Sequence, residues 1–237
     1  KIAKRIYISF ENSRDFFKNE KTYTVGNPIR QIKPVSKEEA LGFFQLSNLK
    51  PTILIIGGSK GAQIINQVVI SSIASLVKDF HVIHQTGIKN FDSIKSQIEN
   101  IIKENEKTQA GGYGQLVRES YKAYPFFDFD QMGDAYAAAD VVVTRAGSGA
   151  LFEIAAVGKP AIVIPIRISA SDHQLANAKE FINYGGVLLE EPNLTPHILI
   201  DQIKEAYKNR EELSKKIKEF ARPEAAIKIA TDLLDSF

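Results

Sequence analysis

The chain has 237 residues, enough for one large domain or one domain and part of another, and its 44% hydrophobic and 24% charged residues are ordinary for a globular protein. Its 30 basic and 28 acidic side chains are intermingled to a formal charge of +2, which gives no electrostatic signal for nucleic acid. Cysteine is absent, excluding disulfides, thiol catalysis and thiolate metal sites, and the four histidines (His81, His84, His173, His197) lack ligand spacing for zinc. No apolar run approaches the roughly 18 residues of a membrane span, and the opening KIAKRIYISF has no signal-peptide core. That opening lacks Met and starts in mid-pattern, so the chain reads as a fragment or the second half of a longer protein.

Residues 6–10 alternate as a strand, and a polar stretch leads to a turn at Gly26-Asn27-Pro28. This segment reads as the tail of a preceding domain. A mixed, polar linker follows, with a short helix predicted over 37–44. From Pro51 the pattern becomes regular. Ile53 to Ile56 is a short apolar strand closed by Gly57-Gly58. An apolar stripe (Ile64, Ile65, Val68, Val69, Ile73, Leu76, Val77) predicts a helix over 63–77. A strand over 80–84 and an amphipathic helix over 91–103 come next. Residues 104–119 are polar and Gly-rich and are expected to be a loop. A strand over 121–127 and a helix over 132–139 precede the unit Val141 to Ile164. In that unit a buried strand, an Ala146-Gly147-Ser148-Gly149 turn, a helix and a second strand succeed one another. A helix over 174–184, a strand over 186–189 and a helical tail broken at Pro223 complete the chain. Short, wholly apolar strands alternating with helices predict an α/β fold, a Rossmann-like parallel sheet covered by helices on both faces. Ligands bind such sheets at the carboxyl ends of the strands.

The strand-end residues are therefore the candidate site. Gly57-Gly58-Ser59-Lys60-Gly61-Ala62 opens a helix, whose free N–H groups suit a diphosphate, and Ser59 adds a hydroxyl. A plain tight turn fits the same residues. The segment matches neither a P-loop nor a dinucleotide fingerprint, since the next strand ends in His84-Gln85-Thr86-Gly87 without an acid. Phe152 stands where a third glycine would complete a dinucleotide motif after Gly147-x-Gly149. Glu153 lies in the first turns of its helix, either complementing the helix dipole or accepting the two ribose hydroxyls. Gln174 and Asn177 share a helix face, and their amides suit sugar hydroxyls, while Asp172 reads as an N-cap. His173 is a general base or a solvated helix-start residue. Arg30 is a diphosphate ligand or a surface side chain. His84 is polar packing or a ligand contact. Phe129 and Met132 read most simply as core.

In this order these motifs resemble one family. Gly26-Asn27-Pro28-Ile29-Arg30, the Gly57–Ala62 turn, His84-Gln85-Thr86-Gly87, the Met132-to-Asp140 segment, the Arg145-to-Glu153 turn and Gln174-x-x-Asn177-Ala178 are similar to the C-terminal donor-binding half of the MurG family. That bacterial glycosyltransferase adds N-acetylglucosamine to lipid I, making lipid II for peptidoglycan. The resemblance implies half of a two-domain GT-B glycosyltransferase with its active site in the cleft between the domains. Residues 1–30 would end the N-terminal acceptor domain and form the hinge, 31–220 would bind the donor, and 221–237 would be a helix packing back toward the N-terminal domain. It implies UDP-N-acetylglucosamine as donor, inversion, no cofactor and no essential metal. Ser59, Gly58 and Arg30 would contact the diphosphate, together with the backbone at Ala146 and Gly147. Glu153 would hold the ribose, Phe129 and Met132 would frame the uracil, and Gln174 with His173 would read the sugar. The general base, the lipid I acceptor site and the membrane contact would belong to a missing N-terminal domain. On that reading the whole protein is cytoplasmic and peripheral on the membrane's inner face, and this chain alone binds donor but transfers little or no sugar. The pattern departs from the family at Lys60 and His173, where it usually has Gln, and at 104–119, which looks inserted. The alternatives are another GT-B enzyme, such as a lipid glycosyltransferase or a UDP-N-acetylglucosamine 2-epimerase, and a non-catalytic donor-binding module that needs a partner chain.

Overall fold

A computed structural model of the chain describes residues 3–17, 20–57, 62–106, 113–166 and 173–235. Two short strands, β1 (Ile6–Ile8) and β2 (Thr22–Thr24), pair in parallel outside the main sheet. Helix α1 (Lys37–Phe43) starts at a capping box in which Ser36 and Glu39 satisfy each other's backbone N–H groups. The regular part follows as β3 (Thr52–Ile56), α2 (Gln63–Asp79), β4 (His81–Gln85), α3 (Phe91–Glu106), α4 (Tyr113–Ser120), β5 (Tyr121–Tyr124) and α5 (Phe129–Ala138). It continues as β6 (Val141–Thr144), α6 (Ser148–Val157), β7 (Ala161–Val163), α7 (His173–Ile182) and β8 (Val187–Leu188). The tail is α8 (Pro196–Lys208), α9 (Arg210–Lys218) and α10 (Ala225–Leu234).

The six later strands form one wholly parallel sheet in the order β5-β4-β3-β6-β7-β8. Successive side chains of a strand point to opposite faces, and the two faces build two cores. Ile53, Ile55, Val82, Val141, Val143 and Ile162 pack with residues of α2, α3, α4 and α8. Leu54, Ile56, Ile83, Val142, Ala161 and Val163 pack with residues of α1, α5, α6, α7 and α9. The expected doubly covered parallel sheet is what the chain forms. Its order reverses direction between β3 and β6, and the crevice at such a switch point is where open α/β sheets take their ligands.

The described residues of the N-terminal segment are bonded into this body. The backbone N–H groups of Glu11 and Asn12 donate to the Glu180 carboxylate of α7 at 2.9 and 3.0 Å. Phe10 packs on Phe152 and Phe220. Arg5 and Tyr7 meet Asp232 of α10.

Three sequence expectations need correction. The polar 104–119 stretch contains the end of α3 and all but the last residue of α4; residues 107–112 lie outside the described part. Gly114 marks close helix packing there, because a Cβ on it would stand 3.0 Å from the Ile102 carbonyl oxygen. The strand expected over 121–127 stops at Tyr124. Phe127 is apolar because it is buried against Phe44 and Tyr124, rather than because it extends a strand. The helical tail breaks at Asn209 as well as near Pro223. No described helix is long and apolar enough to cross a membrane.

Candidate functional site

The turn after β6 and the start of α6 stand beside the switch point. Gly147 is the N-cap of α6, and no side chain caps that end. The first-turn N–H groups of an uncapped helix remain available to an anion. Among the described residues, a Cβ on Gly147 would meet nothing within 4 Å. Ala146 is buried beneath it. Asn177 of α7 fixes the turn by donating to the Ala146 carbonyl at 3.1 Å. Arg145 anchors it from behind, donating to the Ile164 carbonyl at 3.1 Å and pairing with Glu191 at 2.6 Å.

Residues 26–30 run alongside α6. The Asn27 amide lies 4.0 Å from the place of a Cβ on Gly149, in the helix's first turn. One turn further on, Arg30 Nε donates to Glu153 Oε1 at 2.6 Å. Tyr136 of α5 donates its hydroxyl to Glu153 Oε2 at 3.0 Å. Glu153 is 7% exposed and is the sixth residue of α6. That position lies past the first turn, so helix-dipole complementarity, which fades within one turn, does not explain the carboxylate. Burying it requires compensation, which Arg30 and Tyr136 supply. Each carboxylate oxygen has about two acceptor directions. One on each is occupied, and the other has no partner among the described residues.

Arg30 uses only its Nε among the described residues, so both Nη groups are without a protein partner there. Its guanidinium carbon lies 5.8 Å from the Phe129 ring centroid, within cation–π reach. Phe129 is 45% exposed, which corrects its reading as a core residue. It is the first residue of α5, where a helix leaves a backbone N–H without an internal acceptor. Met132, one turn along α5, is buried as expected.

Gln174 accepts from the Ile166 N–H at 3.2 Å, which holds the start of α7 against the chain leaving β7. His173 is exposed at the start of α7. Gly58 and Ser59, with Lys60 and Gly61, lie outside the described residues, as does Asp172. His84 is wholly buried: its Nδ1 accepts from the Tyr121 hydroxyl at 2.8 Å and its Nε2 donates to Asn66 Oδ1 at 3.0 Å. Burial lowers its pKa to about 3, so the ring is a neutral strut and the polar-packing alternative is the one realised.

The structure thus joins Arg30, Phe129 and Glu153 into one cluster, and ties Asn177 to Ala146. It adds two residues that sequence reasoning missed. Tyr136 carried a faint signal, a lone hydroxyl in the small apolar run Ala135 to Ala139. Arg145 carried none, because its partner Glu191 is far along the chain. A cavity of about 930 Å³ lies along residues 29–37, α5, α6 and α10, touching the cluster at Arg30 and Tyr136. Its lining is mostly apolar and its lysines are engaged: Lys33 with Asp130, Lys37 with Asp140, and Lys159 with the Ala137 and Ala139 carbonyls. It therefore suits a diphosphate less well than the uncapped turn before α6. Among the described residues no group of three His, Asp or Glu side chains could hold a metal ion.

Residues 52–233 match the glycosyltransferase family 28 C-terminal domain. A Flavobacterium psychrophilum protein, named as a UDP-N-acetylglucosamine–N-acetylmuramyl-(pentapeptide) pyrophosphoryl-undecaprenol N-acetylglucosamine transferase, is 34% identical over 99% of this chain and 60% of its own length. The crystal structure of Acinetobacter baumannii MurG superposes with a TM-score of 0.69 at 22% identity, over 100% of this chain and 61% of that one. A putative UDP-N-acetylglucosamine 2-epimerase from Listeria monocytogenes shares the fold with a TM-score of 0.62 at 14% identity, over 98% of this chain and 59% of that one. The chain spans 54% to 62% of the length of the curated relatives it matches.

Proposed function

The chain belongs to glycosyltransferase family 28 through its C-terminal domain, and on that premise we propose that it is the donor-binding part of an enzyme transferring N-acetylglucosamine from UDP-N-acetylglucosamine to lipid I, forming lipid II. The observation that carries this reading is the Glu153 carboxylate, buried beside an uncapped helix start at the switch point, with one acceptor direction on each oxygen unused among the described residues. A ribose diol presents two hydroxyl donors at matching separation, and a diphosphate attached to it reaches toward the helix start.

In this reading Glu153 accepts the ribose hydroxyls. The Nη groups of Arg30 and the N–H groups at Gly147 and Ser148 receive the diphosphate, to which Gly58 and Ser59 are also assigned. Phe129 and Met132 frame the uracil, the former through its free backbone N–H. Gln174 and His173 face the sugar. When the glycosidic bond to phosphate breaks, negative charge grows on the departing UDP. Fixed N–H dipoles and a guanidinium already in place stabilise that charge without reorganising. The attacking hydroxyl must lose its proton to a base, and none of the residues assigned here has that role. The acceptor and base sites, and any membrane contact, belong to the portion of the whole protein beyond this chain. The named relative supports the donor and acceptor identities.

Calorimetric titration with UDP, UDP-N-acetylglucosamine and UDP-glucose tests the assignment. Glu153→Ala should weaken all three by a similar factor, on the order of tenfold or more, because it loses charge-assisted hydrogen bonds to a ribose common to them. Unchanged UDP affinity would remove Glu153 from the ribose site.

A further inference from the structure

We propose that Tyr136 is a positioning residue for the donor nucleotide: its hydroxyl fixes the plane of the Glu153 carboxylate so that the two remaining lone pairs meet the ribose diol. The inference rests on the ribose reading of Glu153. It assigns Tyr136 a part in recognition, beyond that of a core aromatic whose hydroxyl happens to be satisfied.

The terminal torsion of a glutamate is broad and roughly two-fold, so a carboxylate held at one oxygen swings. Glu153 is held at both, by Arg30 Nε on Oε1 and by the Tyr136 hydroxyl on Oε2. Arg30 is a third exposed and comes from an irregular segment, whereas Tyr136 is 1% exposed on α5. Tyr136 is therefore the rigid one of the two holds. Burial, reinforced by the neighbouring Glu153, raises the phenol pKa well above its usual value, so the hydroxyl keeps its proton and remains a donor. Without that donor, Oε2 would be a nearly buried acceptor with no partner among the described residues, and the carboxylate would turn toward Arg30. Tyr136 also follows Met132 by four residues, on the same face of α5. One helix thereby carries both the frame proposed for the base and the hold on the ribose carboxylate.

The experiment compares UDP with 2′,3′-dideoxyuridine diphosphate on the 237-residue chain, as wild type, Tyr136→Phe and Glu153→Gln, by calorimetry, with folding checked by circular dichroism. Tyr136→Phe should weaken UDP about tenfold and change dideoxy-UDP by less than about twofold, since only the diol uses the fixed carboxylate. Equal losses on both nucleotides, or no loss on UDP, would overturn the positioning role. If at the same time Glu153→Gln weakens UDP but spares dideoxy-UDP, the ribose reading survives without Tyr136. If Glu153→Gln treats the two nucleotides alike, the ribose reading fails and the proposal with it. Should Tyr136→Phe not fold, NMR of wild-type chain labelled at tyrosine Cζ supplies the readout. The Tyr136 signal should move on adding UDP and stay in place with dideoxy-UDP, and a signal indifferent to both would overturn the proposal.

Discussion

Single residues set the local conditions of the candidate site, and some do so by what they lack. Gly26 has φ +86°, in the left-handed region, and a Cβ there would come 2.4 Å from Arg222 Cβ. Only glycine lets the chain turn at this point, pass against Arg222 and carry Asn27 and Arg30 along α6. Gly26→Ala should cost about 2–4 kcal/mol, combining backbone strain with overpacking. A fall in the urea midpoint at unchanged slope would show it. Glu153 illustrates the limit of reading one residue at a time. From sequence it was an acid near a helix start, and two explanations fitted. Its place on the sixth position of α6, buried between Arg30 and Tyr136, depends on segments 123 and 17 residues away. No local pattern encodes such pairs.

Among the elements, β4 and α2 are joined by a buried polar network. His84 accepts from Tyr121 and donates to Asn66, and Asn66 donates to the Thr86 carbonyl at 2.9 Å. The network braces the start of α2. It has a pH signature. His84 has a folded pKa of about 3 against an ordinary 6.5, so between those values the unfolded chain binds a proton that the folded chain refuses. The stability is intact above pH 6.5 and is lost as pH falls, with a slope approaching about 1.4 kcal/mol per pH unit. From pH 7 to 5 the wild type should lose about 2 kcal/mol from this group. In urea denaturation, His84→Gln should show a shallower decline over that interval, and identical pH slopes would count against a neutral buried His84. The strands and long helices were legible in the sequence because apolar period and length decide them. Helix α4 was not, because it starts inside a polar, Gly-rich stretch and what fixes it is tertiary: Val117 is buried in the core shared with α2 and α3, and Gly114 packs closely on α3.

Across the whole molecule, the tail and the first residues close one of the two cores. Phe220, between α9 and α10, stacks on Phe152 at 4.5 Å between centroids and touches Phe10, Phe181 and Tyr184. It thereby joins the N-terminal segment, α6, α7 and the tail. Phe220→Ala should cost about 3–5 kcal/mol and lower the thermal midpoint by on the order of 10 °C. Scanning calorimetry would check this, and a shift of only a degree or two would show that the core closes without it. Because Phe152 neighbours Glu153 on α6, the same variant should also weaken UDP if the cluster depends on this packing.

The sequence by itself determined the parallel α/β character, the position of the turn before α6 and the kinship with the C-terminal half of a glycosyltransferase family. Those properties follow from short-range patterns: apolar runs, helical stripes and glycine turns within a few residues of one another. Strand order, the pairing of Arg30 with Glu153, the Tyr136 hydroxyl beneath that carboxylate and the exposure of Phe129 were decided only by tertiary structure. Each requires segments distant along the chain to meet, and the free energy that selects the meeting is burial shared across the whole core rather than any preference of the residues alone.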